Sequence, residues 1–266
     1  MIELLASLDR NVAVGMAQAA AAIALCLGVV VLCRRFAVHI ERETVISLAR
    51  GLIQMVAVGL ILALLLHGSM LIGVLILLAM TVAAAVTASR RAPGIKNPLI
   101  LSFYAIGAGS SVVIAILFAT RTLTSDIVVV VPVGSMIIAN AMNSCGQAME
   151  RFRADIIAHV GLIETGLSLG ADPAATVAPY VQSAVYASLL QRLDQLKSLG
   201  IVWIPGVMAG MLVSGASPVY AGIFQFIVVA MILAASGIAG LVATLLMRAR
   251  AFSSAAQLTL RAAGPT

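Results

Sequence analysis

From Gly51 to Ser89 the chain runs without a single Asp, Glu, Lys or Arg. Wound as helix at 1.5 Å per residue, such a stretch is long enough to cross a hydrocarbon layer of about 30 Å nearly twice. The two crossings are joined only by His67-Gly68-Ser69, a tight reversal. In lipid every backbone N–H and C=O must be satisfied inside the protein, which leaves helices or closed barrels. The apolar residues here are continuous rather than alternating, so the crossings are helical.

Further apolar runs occur, giving candidate spans over roughly 12–33, 49–67, 69–88, 99–119, 126–148, 200–215 and 218–247. The sixth is short and interrupted by Pro205 and several glycines, so the count is about seven. Composition agrees: 62% of residues are hydrophobic and 10% charged, against about 45–50% and about 25% in soluble domains. The expected fold is all-α, a polytopic membrane protein forming one domain over residues 1–266, with no room for a large soluble domain. The first apolar run follows Glu3 and Asp9, with Arg10 the one basic residue before it, a poor leader sequence. It reads as a retained span.

The basic residues orient the chain. With the N-terminus outside and the C-terminus inside, 14 of the 16 Lys and Arg fall in inner loops, leaving Arg10 and Arg121 outside. That matches the inward Lys/Arg bias of membrane proteins. The same bias accounts for the net charge of +6, so no nucleic-acid partner is implied. Cys26, Cys33 and Cys145 form no metal or disulfide pattern, and His39, His67 and His159 are scattered. No metal site is defined by the sequence.

The longest polar excursion is residues 150–199, expected on the cytoplasmic side. Ile156, Ile157, Val160, Ile163 and Leu167 recur at helical spacing. Gly170 suits a C-terminal cap, and Asp172-Pro173 reads as the N-cap and first position of a second helix. The result is helix, sharp turn, helix. Two readings fit. Either Leu167 and Leu169 enter a partner's apolar groove, with Gly170 and Ala171 allowing close approach and Glu164 and Asp172 supplying charge, or the helix lies on the membrane surface.

The segment ETGLSLGADP (164–173) resembles the cytoplasmic coupling loop of ABC transporter permeases, whose pattern is Glu-Ala-Ala, three residues, then Gly. Glu164 and Gly170 keep that spacing, Pro179 is similar to a Pro that often follows, and Thr165-Gly166 replace the two Ala. ARGLIQMVAVG (49–59), VPVGSMIIANAM (131–142), LDQLKSLGIVWIPGVMAGML (193–212) and ASPVYAGIFQF (216–226) are similar, in order, to the FetB/YbbM-type permease family of iron-export or metal-resistance permeases. Ala139 and Phe224 depart from that family's usual Gly and Tyr. The resemblance implies a half-transporter in the bacterial inner membrane. Two copies would form the pathway, and separate ABC ATPase subunits would grip the coupling helices. No G-x-x-x-x-G-K-[ST] loop occurs in the chain. On this reading it binds no cofactor, is not an enzyme, and relies on ATP hydrolysed by its partner.

Polar residues inside spans are candidates for the pathway. Asn140, Asn143 and Gln147 stand at i, i+3 and i+7, on one helix face. They either line a lumen or bond neighbouring helices. Met142 offers a thioether, Gln54 and Gln225 are lone amides, and Pro205-Gly206 breaks the sixth span, exposing backbone carbonyls. Asp194 and Lys197 are spaced to pair with each other. Two rival functions remain in view: a secondary transporter or channel driven by ion gradients, and an intramembrane enzyme. The first calls for repeats and mid-membrane ionisable groups, the second for a nucleophile or metal cluster within the spans.

Overall fold

Proline and small polar residues set where the helices begin. The computed structural model describes residues 2–65, 70–123, 126–253 and 257–259. Among them there are nine helices and no named strand. Two units separate by their contacts, Met1–His67 and Gly68–Thr266.

The first unit holds α1 (Ile2–Arg35) and α2 (Glu41–Leu65). A short turn joins them, with Ala37 at positive φ and Arg34 Nε 3.6 Å from Glu41 Oε1. Most of the described side chains of both helices are exposed, as expected of helices clothed by lipid or by other chains. The expected span 49–67 falls on α2, and its last two residues lie outside the described residues, as does the 67–69 reversal.

The second unit is a bundle of α3 (Met70–Ser89), α4 (Pro98–Ala119), α5 (Ile127–Ala158), α6 (Val160–Ser168), α7 (Pro173–Lys197), α8 (Gly206–Val213) and α9 (Pro218–Arg250). Pro98, Pro173 and Pro218 each occupy the first helical turn, where the missing N–H is no loss. Ser217 caps α9 by accepting from the Tyr220 N–H at 3.4 Å. The core is apolar and small-residue rich. Phe152, Leu101, Ile106, Met149 and Ile156 are fully buried, among many alanines. Small residues let membrane helices approach where lipid supplies no hydrophobic drive between them.

Close approaches fix the register. A Cβ on Gly73 would meet Ile127 at 3.1 Å and one on Gly134 would meet Leu77 at 2.8 Å, so α3 and α5 run in parallel. Ser102 Oγ lies 3.7 Å from Met149 Sδ, which sets the start of α4 beside the latter part of α5. A Cβ on Gly109 would lie 2.5 Å from the Ala235 carbonyl, pinning the middle of α4 to α9. One end of the bundle gathers charge: Arg153 Nε donates to the Pro93 carbonyl at 2.9 Å, and Arg250 Nη1 to the carbonyls of Lys96 and Asn97 at 3.2 and 3.1 Å. We call this the basic end. Arg121 and Asp126 stand at the far end.

Five helices are long and apolar enough to cross a membrane among the described residues: Ala13–Arg35, Met70–Ser89, Pro98–Ala119, Val129–Ala158 and Pro218–Arg250. The expected spans at 12–33, 69–88, 99–119, 126–148 and 218–247 thus correspond to helices, with α5 running 10 residues further than expected, to Ala158. The expected span over 200–215 is corrected. Residues 198–205 are not helical, and α8 has only 8 residues, too short to cross alone. Gly200 at φ +77° and Pro205, which lacks an N–H, end any continuous helix there.

Candidate functional site

In the 150–199 region, expected as helix, sharp turn, helix, the first helix is divided in two. α5 carries on to Ala158, and the chain kinks at His159 before α6. The His159 ring stacks on Tyr180 of α7, centroids 5.0 Å apart, and its Nδ1 lies 2.8 Å from the Asp155 carbonyl. The elbow that follows is built as the sequence implies. Gly170 sits at φ +86°, its N–H reaching Leu167 O at 3.0 Å while the Ala171 N–H reaches Gly166 O at 3.0 Å. That is the paired closure of a glycine-capped helix end. Asp172 then accepts from the Ala175 N–H at 3.1 Å. We expect Asp172→Ala to cost about 1 kcal/mol of stability, read as a fall in the thermal midpoint of the purified protein.

The elbow has two faces. Ile163 is buried and Leu167 packs inward against the core. Leu162 and Leu169, 68% and 83% exposed, point the other way. They stand seven residues apart on one face with Thr165. Leu167 therefore anchors the elbow while Leu169 is offered outward. Leu162 is the residue missed in the sequence. Its i+7 relation to Leu169 was the available signal. Glu164, Gly170, Ala171 and Asp172 are exposed at the same tip. Gly166 lets α6 approach α7, since a Cβ there would stand 3.1 Å from Thr176 Cγ2.

The polar candidates of the spans separate into three groups. Asn140, Asn143 and Gln147 are half-buried on one face of α5. That face continues toward the far end through Met136, Pro132 and Val129, which line a cavity of about 350 Å³ shared with Val207 and Met211 of α8 and with Tyr220 and Phe224 of α9. The Asn140 amide nitrogen donates to the Met136 carbonyl at 2.6 Å. Met142 falls on another side of α5 and packs against the core. Gln54 is exposed on α2, in the first unit.

Gln225, the lone amide of its span, is 2% exposed on α9, and neither of its amide atoms has a partner among the described residues. Pro205 is buried and leads into α8, and Gly206 is that helix's exposed first residue. Among the described residues no group of three or more His, Cys, Asp or Glu is placed to hold a metal.

α7 holds the residue that sequence reasoning placed in a cytoplasmic loop. Ser144 Oγ donates to the Ser188 carbonyl at 3.2 Å, and a Cβ on Gly240 would meet Ser188 Oγ at 2.8 Å. α7 thus lies between α5 and α9, antiparallel to both. One turn beyond Ser188, Arg192 is 7% exposed, its Nη1 donating to Gln195 Oε1 at 2.8 Å and its Nε without a partner. Asp194 and Lys197 pair at 3.5 Å as their spacing implies, on the outer side of the same helix.

No solved structure matches this chain. Among sequences, it is 31% identical over 250 residues to UPF0014 membrane protein STAR2 of Oryza sativa subsp. japonica, covering 94% of this chain and 88% of that one. It is 31% identical to Protein ALUMINUM SENSITIVE 3 of Arabidopsis thaliana over 92% of this chain and 90% of that one. It is 28% identical to the Probable iron export permease protein FetB of Escherichia coli over 83% of this chain and 86% of that one. A family model described as Uncharacterised protein family (UPF0014) matches residues 16–252, and the chain belongs to that family of multi-pass membrane proteins.

Proposed function

We propose that the protein is the membrane-spanning permease subunit of an ABC transporter, exporting a metal ion such as iron or a related solute, with ATP hydrolysed by a separate subunit. The basic end is then cytoplasmic, in keeping with the inward Lys/Arg bias, and the N-terminus is outside. The observation that carries the reading is the elbow at residues 160–175. It presents Leu162 and Leu169 to solvent on a turn locked by Gly170 and Asp172, at the spacing of a permease coupling loop. Exposed leucines on a rigid projection are what an apolar groove on a partner would take up. The iron assignment leans on the likeness to the Probable iron export permease protein FetB. A second copy of the chain would close the pathway along the half-buried Asn140, Asn143 and Gln147 face.

The test is co-purification with the candidate ATPase. Glu164→Arg is expected to abolish or strongly weaken the complex. Gly170→Leu, which forces a branched side chain into left-handed backbone at about 1–2 kcal/mol, is expected to do the same. An intact complex with unchanged ATP turnover in both variants sinks the coupling assignment. One observation favours a gradient-driven carrier instead: Arg192 is an ionisable group that is 7% exposed, with its Nε unpartnered among the described residues. Solute movement into liposomes by the purified chain without ATP would select that reading.

A further inference from the structure

The register of the bundle gives Arg192 a depth. Ser188 is level with Gly240, and Arg192 and Ser236 are each one turn further toward the far end. Gly109, which meets α9 between Ala235 and Ala239, is therefore on the same level. Gly109 lies midway along α4 (Pro98–Ala119), a helix of spanning length. Arg192 is thus at mid-span, and α7 with α8 makes a single passage, interrupted at 198–205.

The interruption is built for that depth. The Ser198 carbonyl accepts from the N–H groups of Ile201, Val202 and Trp203 at 3.2, 3.0 and 3.3 Å, and the Gly200 N–H reaches Trp203 O at 3.0 Å. The N–H groups from Ser198 to Trp203 thus find partners within the chain, as a non-helical segment away from water requires. Ile201, Val202 and Ile204 are 86%, 83% and 65% exposed, side chains suited to lipid or to another subunit and ill suited to water.

At this level the guanidinium is uncompensated. Its one hydrogen-bond partner is the neutral Gln195, Nε is empty, and no carboxylate stands within ion-pair distance among the described residues. Asp194, the nearest in sequence, is engaged with Lys197. Two more buried groups on α9 lack partners, Ser236 Oγ and both amide atoms of Gln225. They share the face of α9 that carries Gly240, and Ser236 is on the rung opposite Arg192. A buried charge held without a counter-charge is strongly unfavourable. A planar fork of N–H donors is shaped for carboxylate or phosphate oxygens.

We propose that Arg192 and Gln195, at the interruption between α7 and α8, form the binding site for an anionic oxygen group, carboxylate or phosphate, on the transported solute. A metal cargo would then cross as an anionic chelate and not as a bare cation. Toward the far end, α5, α8 and α9 enclose a separate apolar cavity beside Met136 and Met211. The inference rests on the transport reading and deepens it.

The test uses the purified full chain in detergent, without an ATPase, so that failure of the coupling assignment leaves it untouched. Radiolabelled citrate and radiolabelled inorganic phosphate are titrated separately, then ferric citrate and ferrous chloride. Emission from Trp203, the single tryptophan and part of the interruption, is followed in parallel. At least one oxyanion is expected to bind saturably and shift that emission. Arg192→Gln is expected to weaken binding at least about tenfold, the effect of losing a charged hydrogen bond. Arg192→Lys, which keeps the charge and guards against a folding artefact, is expected to retain most of it. Tighter binding of ferric citrate than of citrate identifies the chelate as cargo, and the reverse order identifies a free oxyanion. Binding that is equal in native protein and Arg192→Gln, absence of oxyanion binding, or binding of ferrous ion alone overturns the proposal.

Discussion

Gly109→Ala is expected to lower the unfolding midpoint by several degrees, whereas Gly107→Ala, two residues away on another face, is expected to leave it unchanged or slightly raised. A Cβ on Gly109 would lie 2.5 Å from the Ala235 carbonyl oxygen and 3.2 Å from both the Ala239 nitrogen and its Cβ. Those atoms are backbone or its immediate branch, so no rotamer change relieves the clash and α4 must move off α9. Overpacking of this kind costs about 1–3 kcal/mol. The residue gains back less than about 1 kcal/mol of helix propensity in exchange for glycine. A Cβ on Gly107 meets nothing within 4 Å, so there only the propensity gain remains. In lipid the close approach of small residues is the main source of helix association, which makes the α4–α9 contact one of the positions where the bundle is most sensitive. Thermal unfolding of the two variants beside the native chain is the measurement, and equal midpoints would refute the packing register on which the depth of Arg192 depends.

The apolar runs made α3, α4, α5 and α9 legible because a span must be long, uncharged and helical, and few alternatives satisfy all three. The elbow was legible for a different reason. Gly170 at positive φ and Asp172 as an N-cap are local solutions to backbone geometry, readable from a few residues. α7 was not legible. Its sequence carries Gln182, Gln191, Arg192, Asp194, Gln195 and Lys197, and by charge count it belongs in water. What holds it in the bundle is a buried stripe of Val177, Val181, Ala184 and Ser188, with Ser188 set against Ser144 of α5 and Gly240 of α9. Such fits between distant segments leave no periodic signal stronger than that of a surface helix. The span expected over 200–215 failed because its apolar composition hides the break at Gly200 and Pro205, which leaves α8 with 8 residues, too few to cross alone. Gln225 was visible as a lone amide, but its lack of any partner depends on neighbours that only the packed bundle supplies.

The elbow yields the largest functional effect. Leu162→Asp combined with Leu169→Asp is expected to abolish complex formation with the ATPase while leaving the chain folded. Both side chains are exposed, at 68% and 83%, and exposed substitutions away from caps and cores usually change stability by less than about 0.5 kcal/mol. Neither touches the Gly170 closure or the Asp172 cap. Burying two leucines in a partner's groove contributes about 3–6 kcal/mol at about 1.5–3 kcal/mol each. Losing it weakens the complex more than a hundredfold, and the introduced carboxylates would have to be desolvated as well. Ile163→Asp is the contrasting variant. It places a charge in a position that is 1% exposed, so it is expected to unfold the elbow and lower the thermal midpoint. The pair of measurements separates contact from architecture. A double aspartate variant that keeps its midpoint and loses its partner places the ATPase on the Leu162–Leu169 face. One that keeps both, with ATP turnover still stimulated, shows that the face is bare in the working transporter and removes the physical basis for coupling through this elbow.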